Sequence, residues 1–385
     1  MPAALSTTAA PAAPASPAAP TNSFSELGLP GTLVSVLRHR GITTPLPVQA
    51  ATIPDALAGR DISGKAPTGS GKTLAFALPI AATLTPSTPR HPHALVLVPT
   101  RELASQVSGE MTPLLEARSL TAQALYGGAG LGPQRAGLRR GADVVVACPG
   151  RLEDLLGTGD VSLSRVKVVV VDEADRMADM GFLPAVRRIL DATPRGRQTL
   201  LFSATLDDEV EVLVRHYQSR PVRHDVPSPP GTARASHEFV PVASADRARL
   251  CADLVNGAGP SVVFVRTRHG ADKVAHRLRG AGVTAAAIHS GRAQRQREKA
   301  LAAFRAGQVQ ALVATDVAAR GLHVDDVALV VHYDLPADAK GYVHRSGRTA
   351  RAGAGGKVVA LVTPEQRALA ASLRRGVAKS LPAAG

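Results

Sequence analysis

The sequence predicts an α/β chain of two tandem domains, each a mostly parallel sheet flanked by helices, with an unstructured tail at the N-terminus. Short continuous runs of Val, Leu, Ile and Ala alternate with amphipathic stretches along most of the chain. Strands that are apolar on both faces belong to parallel sheets with helices on either side. A Pro/Gly/Ser-rich break, VPSPPGTA at 226–233, interrupts that rhythm, which then restarts. The length of 385 residues suits two or three domains of ordinary size.

Taken in order, residues 1–22 form the tail. The first 20 hold nine Ala and five Pro and no charge, too little to bury a core and without the basic and apolar regions of a secretory signal. The first domain, 23–223, carries expected strands at 94–98, 143–147, 167–171 and 199–202, with an apolar helix at 74–80. A linker is expected over 224–236. The second domain, 237–378, repeats the pattern with strands at 261–265, 283–288, 310–314, 328–332 and 357–362 and a last helix near 364–378. Residues 379–385 form a short tail.

Composition removes several classes of function. With 45% hydrophobic and 20% charged residues the chain can fold, and no apolar run reaches the roughly 18 to 20 residues that span a bilayer. Two cysteines, Cys148 and Cys251, make neither a disulfide framework nor a zinc ligand set. The expected compartment is the cytoplasm. A net charge of +14 favours a polyanionic partner, since Lys and Arg beside phosphates release condensed counterions. Only 3% of residues are aromatic and none is Trp, which argues against base stacking and for contact with a nucleic-acid backbone. The excess is uneven: residues 1–223 hold 22 basic and 19 acidic residues, whereas 224–385 hold 23 and 12.

Residues 66–73 read Ala66-Pro67-Thr68-Gly69-Ser70-Gly71-Lys72-Thr73, a phosphate-binding loop with Ala66 at its usual first glycine. Glycines let backbone N–H groups turn toward phosphates at a helix start, Lys72 can reach the β- and γ-phosphates, and the Thr73 hydroxyl can bind Mg²⁺. About a hundred residues on, a Val run ends in Asp172-Glu173-Ala174-Asp175. Asp172 at the strand tip suits the Mg²⁺, and Glu173 suits the base that activates the attacking water.

These motifs closely resemble those of the DEAD-box family of ATP-dependent RNA helicases, whose name the tetrad spells, and the resemblance runs from Phe24 to about Thr363. It implies two RecA-like domains with ATP and Mg²⁺ in the cleft between them. Gly41 to Gln49 matches the family's adenine-reading motif, with Phe24 as the isolated aromatic upstream, so Gln49 is implied to pair with adenine and Phe24 to stack on it. Thr100 and Arg101, Gly127-Gly128, and Pro149-Gly150-Arg151 match first-domain RNA motifs, where loop N–H groups and Arg grip phosphates. Cys148 stands where the family usually has Thr. Ser203-Ala204-Thr205 resembles the segment that couples hydrolysis to strand separation through the acidic tetrad.

In the second domain His344 to Arg351 matches HRxGRxxR, which implies Arg348 and Arg351 as fingers on the γ-phosphate and His344 as the interdomain partner of Asp175 and of Ser203 and Thr205. Arg266, Thr267, Arg297 and Thr315 fall in the expected RNA-gripping set. One departure stands out: Arg320-Gly321-Leu322-His323 replaces RGLD, and a histidine cannot supply the two acceptor oxygens of that Asp. Its ribose role is therefore not carried over, although Asp325 and Asp326 lie close by in sequence.

The implied function is a monomeric RNA-stimulated ATPase that remodels single strands or short duplexes through sequence-nonspecific backbone contacts. Ribosome-assembly or RNA-decay proteins are the partners in view. Two alternatives stay open, a DNA translocase of the same superfamily and an ATP-gated RNA clamp without strand separation. The first is disfavoured by the adenine-reading motif and the acidic tetrad, the second by the presence of Lys72, Asp172, Glu173, Arg348 and Arg351 together.

Overall fold

The computed structural model describes residues 23–67, 69–227, 235–316, 327–349 and 355–380. The expected tail 1–22, Thr68, Arg320 with His323, Asp325 and Asp326, Arg351, residues 381–385 and most of the linker lie outside them. Chain contacts divide the molecule into two compact units at Pro227 and Ser228.

The first unit is a seven-stranded, wholly parallel sheet in the order β3-β4-β2-β5-β6-β1-β7. Its strands are β1 Ile62–Lys65, β2 Ala94–Leu97, β3 Ala122–Leu125, β4 Val144–Ala147, β5 Val168–Asp172, β6 Gln198–Ser203 and β7 Val222–Asp225. Period-two alternation divides the valines between two cores. Val96, Val144, Val146, Val170 and Phe202 face helices α1 Gly31–His39, α2 Pro47–Leu57, α3 Lys72–Thr83 and α4 Arg101–Glu116. Leu95, Leu97, Val145, Val169 and Leu201 face α5 Leu131–Arg140, α6 Pro149–Gly157, α7 Ala174–Asp179, α8 Leu183–Asp191 and α9 Asp208–Tyr217. Each such side chain, fully buried, is worth about 1.5 to 3 kcal/mol, so the sheet is a rigid platform for the loops at its carboxyl edge.

The second unit repeats the scheme in six parallel strands ordered β10-β11-β9-β12-β13-β8. They are β8 Ala235–Pro241, β9 Ser261–Val265, β10 Ala285–Ile288, β11 Ala311–Thr315, β12 Leu329–His332 and β13 Gly356–Val362. One core packs α10 Arg247–Ala258 and α11 Arg268–Gly280 against Val263, Val265 and Val331. The other packs α12 Gln294–Arg305, α13 Ala339–Ser346 and α14 Arg367–Ser380 against Phe264, Leu312 and Val330.

All nine expected strands are present, with ends shifted by at most two residues, and both sheets are parallel as the sequence predicts. The strands the sequence did not announce are β1, β3, β7 and β8. Two of them narrow the expected linker: His224 and Asp225 belong to β7, and Ala235 and Ser236 to β8. The physical reason is pairing, since β7 adds to β1 and β8 to β13 although neither strand is apolar enough to declare itself.

Candidate nucleotide site and nucleic-acid face

Strand order divides the carboxyl edge of the first sheet into two halves. The loops after β1, β5 and β6, which are neighbours, carry the expected nucleotide residues; those after β2, β3 and β4, also neighbours, carry the expected RNA residues. Ligands of open α/β sheets bind beyond the carboxyl ends of the strands.

The phosphate loop joins β1 to α3. Gly69 and Gly71 adopt φ of 81° and 89°, the left-handed region that side chains resist, and they let the chain turn sharply into the helix. The Ala66 N–H donates to the Ser203 carbonyl at 3.0 Å, tying loop to β6. Ser70 Oγ donates to the Pro67 carbonyl at 2.7 Å. Buried Lys72 donates through Nζ to the Ala66 carbonyl at 3.0 Å, so its ammonium lies inside the curl of the loop. Thr73, the next residue of α3, is half-buried. β1 itself can sit against β6 because a Cβ at Gly64 would come within 2.8 Å of the Phe202 ring.

Gln49 is 1% exposed and serves the loop directly. Its Nε2 donates to the Gly71 carbonyl at 3.1 Å and its Oε1 accepts the Leu46 N–H at 2.8 Å. A Cβ on Gly71 would meet that Nε2 at 2.5 Å, a second reason for glycine there. Phe24, the expected stacking aromatic, is 2% exposed and packs in the first core. Burial of a phenylalanine among Leu27, Leu29 and their neighbours gains more than leaving a ring face in water.

Asp172 ends β5 and accepts the Glu173 N–H at 3.0 Å. Glu173 has φ of 54°, left-handed for a non-glycine, and begins α7. Its Oε2 lies 2.5 Å from Nη1 of Arg176, both side chains being buried. Asp175 is the hub toward β6: its N–H donates to Ser203 Oγ at 3.1 Å, and its Oδ2 accepts the Thr205 N–H at 3.1 Å and Thr205 Oγ1 at 3.2 Å. Arg176 is the residue that sequence reasoning missed. Its only signal was the spacing of three from Glu173 on a helix, which puts the two on one face.

On the other half, Thr100 caps α4 by accepting the Leu103 N–H, and Arg101 lies over Gly127 and Gly128, where a Cβ on Gly128 would fall 2.0 Å from its Nη1. Arg151, three residues into the Pro149–Gly157 helix, reaches the Ala129 carbonyl at 3.4 Å; Pro149 is buried and Gly150 exposed. Three separated motifs thus meet at one edge. Burial pushes the Cys148 thiol up to about 12, with the Glu102 carboxylate adding to it, so the residue in the threonine's place is an inert, protonated thiol.

In the second unit Arg266 and Thr267 follow β9 and are exposed; Thr267 caps α11 by accepting the Gly270 N–H at 3.0 Å. Arg297 and Thr315 are buried, each 6% exposed. Arg297 lies with Leu301 and Phe304 on the core-facing stripe of α12 and donates to Gln294 Oε1 at 3.4 Å, while Thr315 is the last residue of a fully buried strand. The HRxGR segment lies in and just after α13. Arg345 donates from Nε and Nη2 to both oxygens of Asp316 at 2.6 and 2.7 Å and from Nη1 to the Asp334 carbonyl at 2.6 Å. His344 is half-buried and Arg348 is 8% exposed. Among the described residues there is no His/Cys/Asp/Glu cluster of metal-binding geometry, and no helix is long and apolar enough to cross a membrane.

The DEAD/DEAH box helicase family model matches residues 46–213, and the helicase conserved C-terminal domain model matches 246–353. The chain is 41% identical over 373 residues to DEAD-box ATP-dependent RNA helicase 30 of Arabidopsis thaliana, covering 94% of this chain and 62% of the relative. It is 39% identical to helicase 20 of the same plant, covering 89% and 70%. It spans 49% of the length of the chloroplastic DEAD-box helicase 3B of Zea mays. Among solved structures, S. cerevisiae Dbp5 bound to RNA and ADP BeF3 superposes with a TM-score of 0.81 at 27% identity, covering 93% of this chain and 94% of that one. A DEAD box protein from Methanococcus jannaschii gives a TM-score of 0.54 at 34% identity, covering 92% and 97%.

Proposed function

This chain belongs to the DEAD/DEAH box helicase family, and from that premise we propose that it is an ATP-dependent RNA helicase, hydrolysing ATP and remodelling short RNA duplexes. The observation that carries the reading is the hydrogen-bonded continuity of the phosphate loop, the acidic tetrad and the Ser203 to Thr205 segment. Lys72 rests on a neutral carbonyl that a phosphate oxygen can displace in the same curl of backbone. Thr73 and Asp172 would hold Mg²⁺, a hard cation suited to a hydroxyl and a carboxylate, which would neutralise charge on the β- and γ-phosphates. Glu173 orients and deprotonates the attacking water, and Gln49 sets the loop and reads the base edge. Asp175, Ser203, Thr205 and His344 couple the state of that site to the second unit, which delivers Arg348 and Arg351 to the γ-phosphate when nucleotide is bound.

The RNA backbone lies along Thr100, Arg101, Gly128 and the Pro149 to Arg151 turn, and along Arg266 and Thr267 in the second unit. Such contacts read phosphates and 2′-hydroxyls and carry little sequence preference. The protein acts as a monomer in a reducing compartment, the cytoplasm, which suits two free cysteines. ATP turnover measured with RNA and with single-stranded DNA of the same sequence tests the reading. RNA is expected to stimulate it at least about tenfold over DNA; equal stimulation would make the protein a translocase of another kind, and none would remove the assignment.

A further inference from the structure

We infer that Arg176 is a positioning residue for hydrolysis: it aims the carboxylate of Glu173 and links it to the Ser203 to Thr205 segment. The inference rests on the helicase reading above, because it gives Glu173 its task. Arg176 is fastened at both ends to the acidic tetrad. Its backbone N–H donates to Asp175 Oδ1 at 2.9 Å, and its Nη1 donates to Glu173 Oε2 at 2.5 Å. The other oxygen of Asp175 accepts the backbone and hydroxyl of Thr205, while the Asp175 N–H is held by Ser203 Oγ. A continuous run of hydrogen bonds therefore leads from β6 through Asp175 and Arg176 to the carboxylate expected to handle water.

Two costs fall on the same few atoms, and a fold maintained for stability alone has no use for either. Burying an ion pair takes both groups out of water, and such pairs often add little net stability; here the side chains are 9% and 8% exposed. Glu173 also holds a left-handed φ of 54°, and strain of that kind gathers at functional sites. Together the left-handed backbone and the guanidinium fix both the origin and the direction of the carboxylate. In a reaction where an error of about 1 Å in placement can cost 10²-fold, that is the property a water-orienting group needs. A residue acting this way touches neither nucleotide nor water, and its loss lowers turnover without weakening nucleotide binding.

The test is steady-state ATPase at saturating RNA for the full chain, for Arg176→Gln, Arg176→Lys, Glu173→Gln and the double variant, with fluorescent ADP binding and thermal melting run on each. Arg176→Gln is expected to lower kcat by about 10²-fold while KM for ATP and ADP affinity stay within about twofold. Arg176→Lys, which keeps a donor but loses the fork, should fall between it and wild type. In the Glu173→Gln background, Arg176→Gln should lower kcat by no more than about twofold further, there being no carboxylate left to aim. Unchanged kcat in Arg176→Gln, a loss that multiplies with that of Glu173→Gln, or a loss carried by KM overturns the inference. If Arg176→Gln melts below the assay temperature, Arg176→Lys decides, and wild-type kcat in that folded variant also overturns it. A wild-type chain without RNA-stimulated turnover overturns the helicase reading and this inference together, whereas active wild type with unaffected variants overturns the inference alone.

Discussion

The two units share a sheet architecture but hold their motifs in different ways. In the first, the loops at strand ends are joined mainly by hydrogen bonds to backbone groups: Gln49 to the Gly71 carbonyl, Ala66 to the Ser203 carbonyl, and Asp175 to Ser203 and Thr205. In the second, one helix is clamped from two sides. Arg345 is bidentate to Asp316, and Tyr342 sits in a column of rings, stacked on His332 at 4.2 Å and on Phe239 at 5.4 Å, with His332 stacked in turn on Phe264 at 6.1 Å. Arg345 and Arg374 lie over the end rings. Loops joined by backbone hydrogen bonds can rearrange at about 1 kcal/mol per bond, whereas the clamped helix ends two residues before Arg348 and fixes where that residue starts. Under the proposed function, the first unit would be the one that responds to ATP and the second the one that supplies fixed geometry.

Substitution can break that contrast. Arg345→Ala leaves the partly solvated Asp316 without its forked partner and should destabilise the second unit by about 1 to 3 kcal/mol, whereas Thr205→Ala, removing one part-buried hydroxyl bond, should cost the first about 1 kcal/mol. Hydrogen exchange resolved by peptide checks both: the first change should speed exchange across β11 to β13, the second only around 203–210. Comparable effects in both units would end the distinction.

Acid sharpens it further. Burial first, then the charges of Arg345 and His237, hold the pKa of His332 well below its ordinary value of 6.5. Below about pH 6.5 the unfolded chain therefore binds a proton that the folded unit refuses, and stability falls as pH falls, by up to about 1.4 kcal/mol per pH unit for this group. Denaturation of the second unit followed at pH 7.5 and 5.5 should show the loss, and His332→Asn should reduce it. A pH-independent midpoint for the wild type would contradict it.

Legibility in the sequence followed burial. Val168 to Val171 and the run at 261–265 are buried on both faces and read directly as strands. No residue of β7 or β8 is fully buried, and β3 is buried only at Leu125, so none presents a buried apolar run. β1 is flanked by strands on both sides yet hidden, because it reads Ile-Ser-Gly-Lys, with Gly64 making room for Phe202. Within the site, loop residues that need glycine or a charge at fixed spacing were legible. The burial of Phe24, Arg297 and Thr315 was not legible, because type and position say nothing of whether a side chain turns inward, and Arg176 was missed because its meaning lies in the left-handed turn of Glu173.

Arg348 offers the most direct test of the division of labour between the units. Steady-state ATPase at saturating RNA and nucleotide binding should be measured together for the full chain, for Lys72→Ala and for Arg348→Ala. The account predicts that Lys72→Ala loses both binding and turnover, while Arg348→Ala binds nucleotide normally and loses about 10³-fold or more in turnover. Wild-type turnover in Arg348→Ala would contradict it.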